Sequence, residues 1–151
     1  MTAPGGKKVL RVRHVMKRKF DTVNGMTTIR EALEKMQYVE TKCLIVEKRH
    51  QDDEYGLLLL SDIARKVVAV DRAPKRINVY EVMQKPVISV DPEMDIRYCA
   101  RLFDKFNISR TPVLERREVI GIISYTDLVI AAVAPSVKRG IPVARVFHAD
   151  R

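Results

Sequence analysis

Residues 121–128 read Gly121-Ile122-Ile123-Ser124-Tyr125-Thr126-Asp127-Leu128, and 65 positions earlier the chain reads Gly56-Leu57-Leu58-Leu59-Leu60-Ser61-Asp62-Ile63. In both, a glycine opens an apolar run that gives way to a hydroxyl residue and an aspartate, as a buried strand does where it enters a helix. Two such stretches in 151 residues point to an internal repeat. Working outward, Val12-Arg13-His14-Val15-Met16 is matched by Val79-Tyr80-Glu81-Val82-Met83, with Met83 following Met16 by 67 positions. The same spacing relates Thr22-Val23-Asn24 to Ser89-Val90-Asp91, and Ile29 to Ile96. The offset shrinks between the matches because the first copy has the longer polar loop, Lys48-Arg49-His50-Gln51-Asp52-Asp53-Glu54 against Arg116-Arg117-Glu118. Loops tolerate such changes.

Each copy reads strand, helix, strand, strand, helix. In the second, the β-branched run Val87-Ile88-Ser89-Val90 ends at Asp91-Pro92, a turn signal. Asp95 is placed to cap a helix whose apolar face is Ile96, Cys99, Ala100 and Phe103. In the first, Thr28 and Glu31 have capping-box spacing ahead of Ile29, Ala32, Leu33 and Met36. The runs Cys43-Leu44-Ile45-Val46 and Gly56 to Leu60 fit two buried strands joined by a hairpin loop. So do Pro112-Val113-Leu114 and Val119 to Ile123. Closing helices are expected around 63–70 and 128–133, with Ser61 and Thr126 placed to cap them and Pro74 and Pro135 beyond their ends. A unit of about 60 residues buries little core by itself. The expected fold is therefore α/β (α+β): two pseudo-symmetric β-α-β-β-α repeats packed through their sheets into one module. The expected divisions are a flexible arm over 1–8, one repeat over 9–72, the second over 73–135, and a tail over 136–151.

Composition narrows the function classes. No apolar stretch approaches the roughly 20 residues of a membrane span. No apolar signal-peptide centre follows Met1, so the expected location is cytoplasmic. Cys43 and Cys99 sit among apolar residues without CxxC spacing, as buried thiols do. His14, His50 and His148 match no metal-ligand spacing. No Ser-His-Asp or Cys-His set, P-loop or GxGxxG is present, so no enzyme is expected. The net charge of +9 is concentrated at the start, in Lys7, Lys8, Arg11, Arg13, Lys17, Arg18 and Lys19. Such a run attracts polyanions, and is more often a solvated arm.

With the repeats laid out, the sequence resembles a CBS-domain pair (a Bateman module). The resemblance rests on the Val15-Met16 and Val82-Met83 openings, on Asn107-Ile108-Ser109-Arg110-Thr111-Pro112-Val113-Leu114, and on the Gly121 to Leu128 ending. It covers about residues 9–133. It implies a stand-alone tandem regulatory module that binds an adenosine-type ligand, AMP, ADP, ATP or S-adenosylmethionine, between the two halves and forms dimers. No cofactor is required, and the regulated protein is unknown.

The residues fit that chemistry. The Asp127 carboxylate can accept bonds from both ribose hydroxyls, and Ser124 can donate to a phosphate. The helix start offers N–H groups to an anion, and Arg110 can add positive charge. Ser109, Thr111 and Thr126 join the candidate set around them. By resemblance, the base pocket comes from the opposite half, near Thr22-Val23 and Lys42-Cys43. Asp127 and Asp62 equally suit a helix N-terminus, and Ser61 and Thr126 suit caps. The first copy keeps Asp62 but has Leu59 in the place of Ser124 and Leu44 in the place of Pro112. One good site and one degraded or empty site are expected. The alternatives are a basic nucleic-acid binder and a pure dimerisation module. Val67, Val68, Val70, Val129, Ile130 and Val133 are candidates for a homodimer face, since a two-fold dimer is the commonest closed assembly.

Overall fold

The computed structural model describes residues 9–136, so the expected arm over 1–8 and nearly all of the tail lie outside the described residues. The first repeat opens with one turn of helix, α1 (Val12–Val15), and continues through β1 (Asp21–Val23), α2 (Ile29–Glu34), β2 (Cys43–Val46), β3 (Gly56–Leu59) and α3 (Leu60–Ile63). The second opens with a 3-10 turn, Val79–Glu81, and contains α4 (Ile96–Phe106), β4 (Arg110–Glu115), β5 (Glu118–Ser124) and α5 (Tyr125–Val133). The two expected helix caps at Thr28 and Asp95 are present. The Thr28 side chain accepts the Glu31 N–H at 3.2 Å, and Asp95 accepts that of Arg97 at 2.8 Å.

The first sheet has the order β1-β2-β3, with β1 and β2 parallel and β2 and β3 antiparallel. The second has β4 and β5 antiparallel. Each sheet is extended on its outer edge by the other repeat. Lys17 bridges Ile122 on β5, and Gln84 bridges Leu57 on β3. The openings are thus exchanged. Val12, Val15 and Met16 pack with Ile96, Cys99, Phe103 and Ile123 of the second repeat. Val79 and Val82 pack with Ile29, Leu44, Leu58 and Val67 of the first. A third cluster, Cys43, Ile45, Leu57 and Ile122, joins the two sheets. The α+β class and the sheet-to-sheet packing are as the sequence implies.

Four local expectations need correction. The run Val87 to Val90 is not a strand; only Val90 bridges Val113. The Val90 N–H donates to the Pro112 carbonyl, and that of Leu114 to Val90. The next ladder bond would need an N–H on Pro112, which proline lacks. The Thr111 hydroxyl donates to the Ile88 carbonyl in its place. Pairing also aligns the copies differently. Val23 meets Val46 as Val90 meets Val113, so Ile45, not Leu44, stands where the second copy has Pro112. Neither Ser61 nor Thr126 is a cap. The helices begin three residues earlier than expected, at Leu60 and Tyr125, with Leu59 and Ser124 in the cap positions. Finally, the first closing helix is no regular helix over 63–70. α3 widens into a π-helical turn, Ala64–Val68, with the Ala69 N–H donating to the Ala64 carbonyl.

The exchange demands glycine at two places. A Cβ on Gly121 would lie 2.7 Å from both the Lys17 carbonyl oxygen and the Met16 sulfur, and one on Gly56 would lie 2.7 Å from the Met83 sulfur. Gly25 by contrast would meet nothing nearer than 3.5 Å. Gly121→Ala is therefore expected to lower stability by about 1–3 kcal/mol through overpacking against main chain. Gly25→Ala is expected to change it by less than about 1 kcal/mol. Urea unfolding of both variants checks the difference.

Candidate functional site

β5 delivers Ser124 to the start of α5, where its extended backbone makes it the cap. The Ser124 hydroxyl donates to Asp127 Oδ2 at 2.9 Å and accepts the Asp127 N–H at 3.3 Å, while the Ser124 N–H also donates to Oδ2 at 3.0 Å. This reciprocal box holds the Asp127 carboxylate in one orientation. The second oxygen, Oδ1, faces the exchanged opening and accepts a bond from Lys17 Nζ at 2.5 Å. The Asp127 side chain is only 7% exposed, and that of Lys17 is 34% exposed.

Arg110 stands opposite Ser124 in the β4–β5 pairing. Its Nη1 donates across the module to the Thr41 carbonyl at 2.7 Å. This places Arg110 beside the 3-10 turn Val39–Thr41 and the start of β2, where Lys42 takes a left-handed conformation (φ 58°) and its carbonyl accepts the Leu60 N–H. Burial pushes the Cys43 thiol up to about 11, against the opposing pull of the Arg110 charge. Burial alone does the same to Cys99.

Of the residues expected from sequence, the structure gathers Asp127, Ser124, Arg110, Lys42 and Cys43 around one junction between the repeats. Thr126 is exposed on the first turn of α5. Ser109 is exposed, and its carbonyl accepts the Tyr125 N–H at 2.9 Å. Two of the helix-start N–H groups, those of Tyr125 and Asp127, are thus already bonded rather than offered to an anion. Thr111 is buried, with its hydroxyl committed to Ile88. Val23 belongs to the core of the first repeat. With Thr22 it lines a depression of about 190 Å³ whose walls include Asn24, Lys35 and Glu47 but not Asp127 or Arg110. Asp62 is 2% exposed; it accepts from Arg65 and, at 3.0 Å, from Gln84 Nε2.

Lys17 and Gln84 escaped the sequence reading, and so did Thr41. The signal for the first two was present, since each directly follows the methionine of an opening. The basic start is a solvated arm only in part where it is described, with Arg18 and Lys19 exposed and other charges paired. Arg13 donates to Glu93 at 2.5 Å and to Glu115 at 2.7 Å, and Lys17 is held by Asp127. Among the described residues, no group of three or more His, Cys, Asp or Glu is placed to hold a metal, and no helix is long and apolar enough to cross a membrane.

The family model of the CBS domain matches residues 12–69 and again 79–134. The chain therefore belongs to the CBS domain family, as a tandem pair. Modules of two such domains are generally regulatory rather than catalytic. A Bacillus subtilis CBS domain-containing protein, YhcV, is 28% identical over 79% of this chain and 83% of its own. A hexameric CBS-CP12 protein from bloom-forming cyanobacteria is 34% identical, with a TM-score of 0.79 over 93% of this chain and 82% of its own. The CBS domain pair of protein MJ0100, crystallised with 5′-methylthioadenosine and S-adenosyl-L-methionine, shares the fold at 20% identity, with a TM-score of 0.65 over 95% of this chain and 99% of its own. The match to an uncharacterised Methanopyrus kandleri protein spans 43% of that relative's length, at 26% identity over 56% of this chain.

The thiol environment gives a direct check on the packing around Arg110. Cys43 and Cys99 are 1% and 0% exposed, and at pH 8 a thiol raised to about 11 holds almost no thiolate, the reactive form. A chromogenic disulfide reagent at pH 8 is expected to modify neither cysteine in the folded protein and both in denaturant.

Proposed function

We propose that this chain is a regulatory module that binds an adenosine-type ligand at the junction around Asp127 and acts on a partner protein. AMP, ADP, ATP and S-adenosylmethionine are the candidate ligands. The observation that carries the reading is the Asp127 carboxylate. It is buried and fixed in orientation by Ser124, and among the described residues its outer oxygen is held by a lysine side chain that can move. A ribose diol can replace that ammonium as donor. Bonds of this kind, to a charged acceptor, contribute roughly 1.5–3 kcal/mol each. Arg110 and Lys17 then lie on the side where a phosphate would extend. The base would rest near Lys42 and Cys43. Support comes from the tandem CBS pair itself and from the adenosyl compounds in the MJ0100 structure.

The Asp62 counterpart lacks these features. Leu59 replaces Ser124 as the cap residue, and Cys43 stands in the first sheet where Arg110 stands in the second. Asp127→Ala is accordingly expected to raise the dissociation constant for AMP or ATP about 30–150-fold, from the loss of about 2–3 kcal/mol. Asp62→Ala should change it far less. Calorimetric titration, with circular dichroism to check folding, decides. Wild-type affinity in Asp127→Ala would reduce Asp127 to a helix-end residue. No binding of any adenosyl compound by the wild type at millimolar concentration would leave an assembly module.

The module is further proposed to be a homodimer. Val68, Val70, Val129 and Val133 are exposed by 54–76%. A depression of about 420 Å³ between α2 and the end of α3, lined by Ile29, Leu33 and Val68 among others, adds apolar surface. Val67, expected on this face, is instead 1% exposed and part of the core. Light scattering is expected to give twice the chain mass of 17.3 kDa; the mass of one chain at high concentration would contradict it.

A further inference from the structure

We infer that Lys17 makes the Asp127 site selective for phosphorylated adenosine ligands over the uncharged nucleoside, because a ribose that bonds through both hydroxyls needs both acceptor positions of Oδ1, one of which the lysine's charge holds. This rests on the adenosine reading above. Both repeats use one device, in which the residue after the opening methionine reaches across to the aspartate of the other repeat. Its backbone is pinned in both. Lys17 and Ile122 exchange N–H···O bonds at 2.8 and 2.9 Å, as Gln84 and Leu57 do. Only the side chain can respond to a ligand.

The two side chains respond differently. Gln84 offers Asp62 a neutral amide at 3.0 Å. Displacing it separates no charges. Lys17 offers Asp127 an ammonium at 2.5 Å, two-thirds withdrawn from water. A nucleoside whose two hydroxyls take both acceptor positions of Oδ1 leaves that ammonium without its carboxylate, in a region where Arg110 already adds positive charge. A phosphate on the same ligand gives the ammonium a new anion within reach of its flexible four-carbon stem. Phosphate recognition falls to Lys17 and Arg110 rather than to Ser124, whose hydroxyl is already bonded to Asp127 Oδ2.

The test is calorimetric titration of wild type, Lys17→Gln and Lys17→Arg with AMP and with adenosine, each variant first checked by circular dichroism. Lys17→Gln copies the residue that the second opening carries at the same place. The wild type is expected to prefer AMP by roughly tenfold or more, the scale of one charge-assisted bond. Lys17→Gln should weaken AMP and spare or strengthen adenosine, so that most of the preference disappears, whereas Lys17→Arg should keep it. A second measurement needs no variant. Adenosine binding by the wild type should tighten several-fold when inorganic phosphate replaces chloride at equal ionic strength, since the free anion can pair with the displaced ammonium. An AMP-to-adenosine preference unchanged in Lys17→Gln, or adenosine affinity indifferent to phosphate, overturns the inference and leaves the adenosine site standing. A wild type that binds neither AMP nor adenosine overturns the site and the inference together.

Discussion

Met16 packs against Gly121, and Met83 against Gly56, so closely that neither glycine has room for a side chain. At each contact, a glycine on the last strand of one repeat admits the methionine and main chain of the other repeat's opening. The opening then forms the outermost bridge of the foreign sheet and fills the foreign core. A repeat of this size has too little apolar surface to stand alone. Exchange solves that problem, because neither core is complete until the other repeat is in place. It also fixes the position of the next residue, and that residue meets the aspartate at the start of the closing helix. The core packing therefore determines the electrostatics of the site.

Near-symmetry makes the differences between the halves informative. The same backbone presents Lys17, Ser124 and Arg110 around Asp127, and Gln84, Leu59 and Cys43 at the corresponding places near Asp62. Asp62 is held by Arg65 from its own helix and by a neutral amide. Asp127 is held by a capping serine and by a charge from the other repeat. Two halves of one pattern thus differ in what holds the aspartate. A further tie, Lys85 Nζ to Asp53 at 2.7 Å, links the second opening to the long loop of the first repeat. Arg49 and Lys85 together hold the Asp53 carboxyl well below the usual carboxylate range.

The fold was legible because the repeat is written in residue types with local consequences. The Gly-apolar-Asp endings, the Val-Met openings and the caps at Thr28 and Asp95 each fix a short stretch of chain. What escaped depended on distant partners. The run Val87 to Val90 has the composition of a strand, but its ladder fails at Pro112, a residue on another strand. Thr126 looks like a cap by type, yet Ser124 takes that place because β5 carries the extended backbone up to it. Of the site, Asp127, Ser124 and Arg110 could be read from the motif. Lys17 was marked only by its place after Met16, and in a run of basic residues only the exchanged packing distinguishes a half-buried counter-ion from a solvated charge.

In the proposed complex the ribose of an adenosine ligand bonds to Asp127, and the lysine that held that carboxylate turns toward the ligand's phosphate. A crystal structure of the full chain grown with AMP tests this most directly. The predicted result is both ribose hydroxyls within hydrogen-bonding distance of the Asp127 carboxylate, and Lys17 Nζ moved from Oδ1 to a phosphate oxygen. A nucleotide seated elsewhere, with the Lys17–Asp127 pair intact, would contradict it.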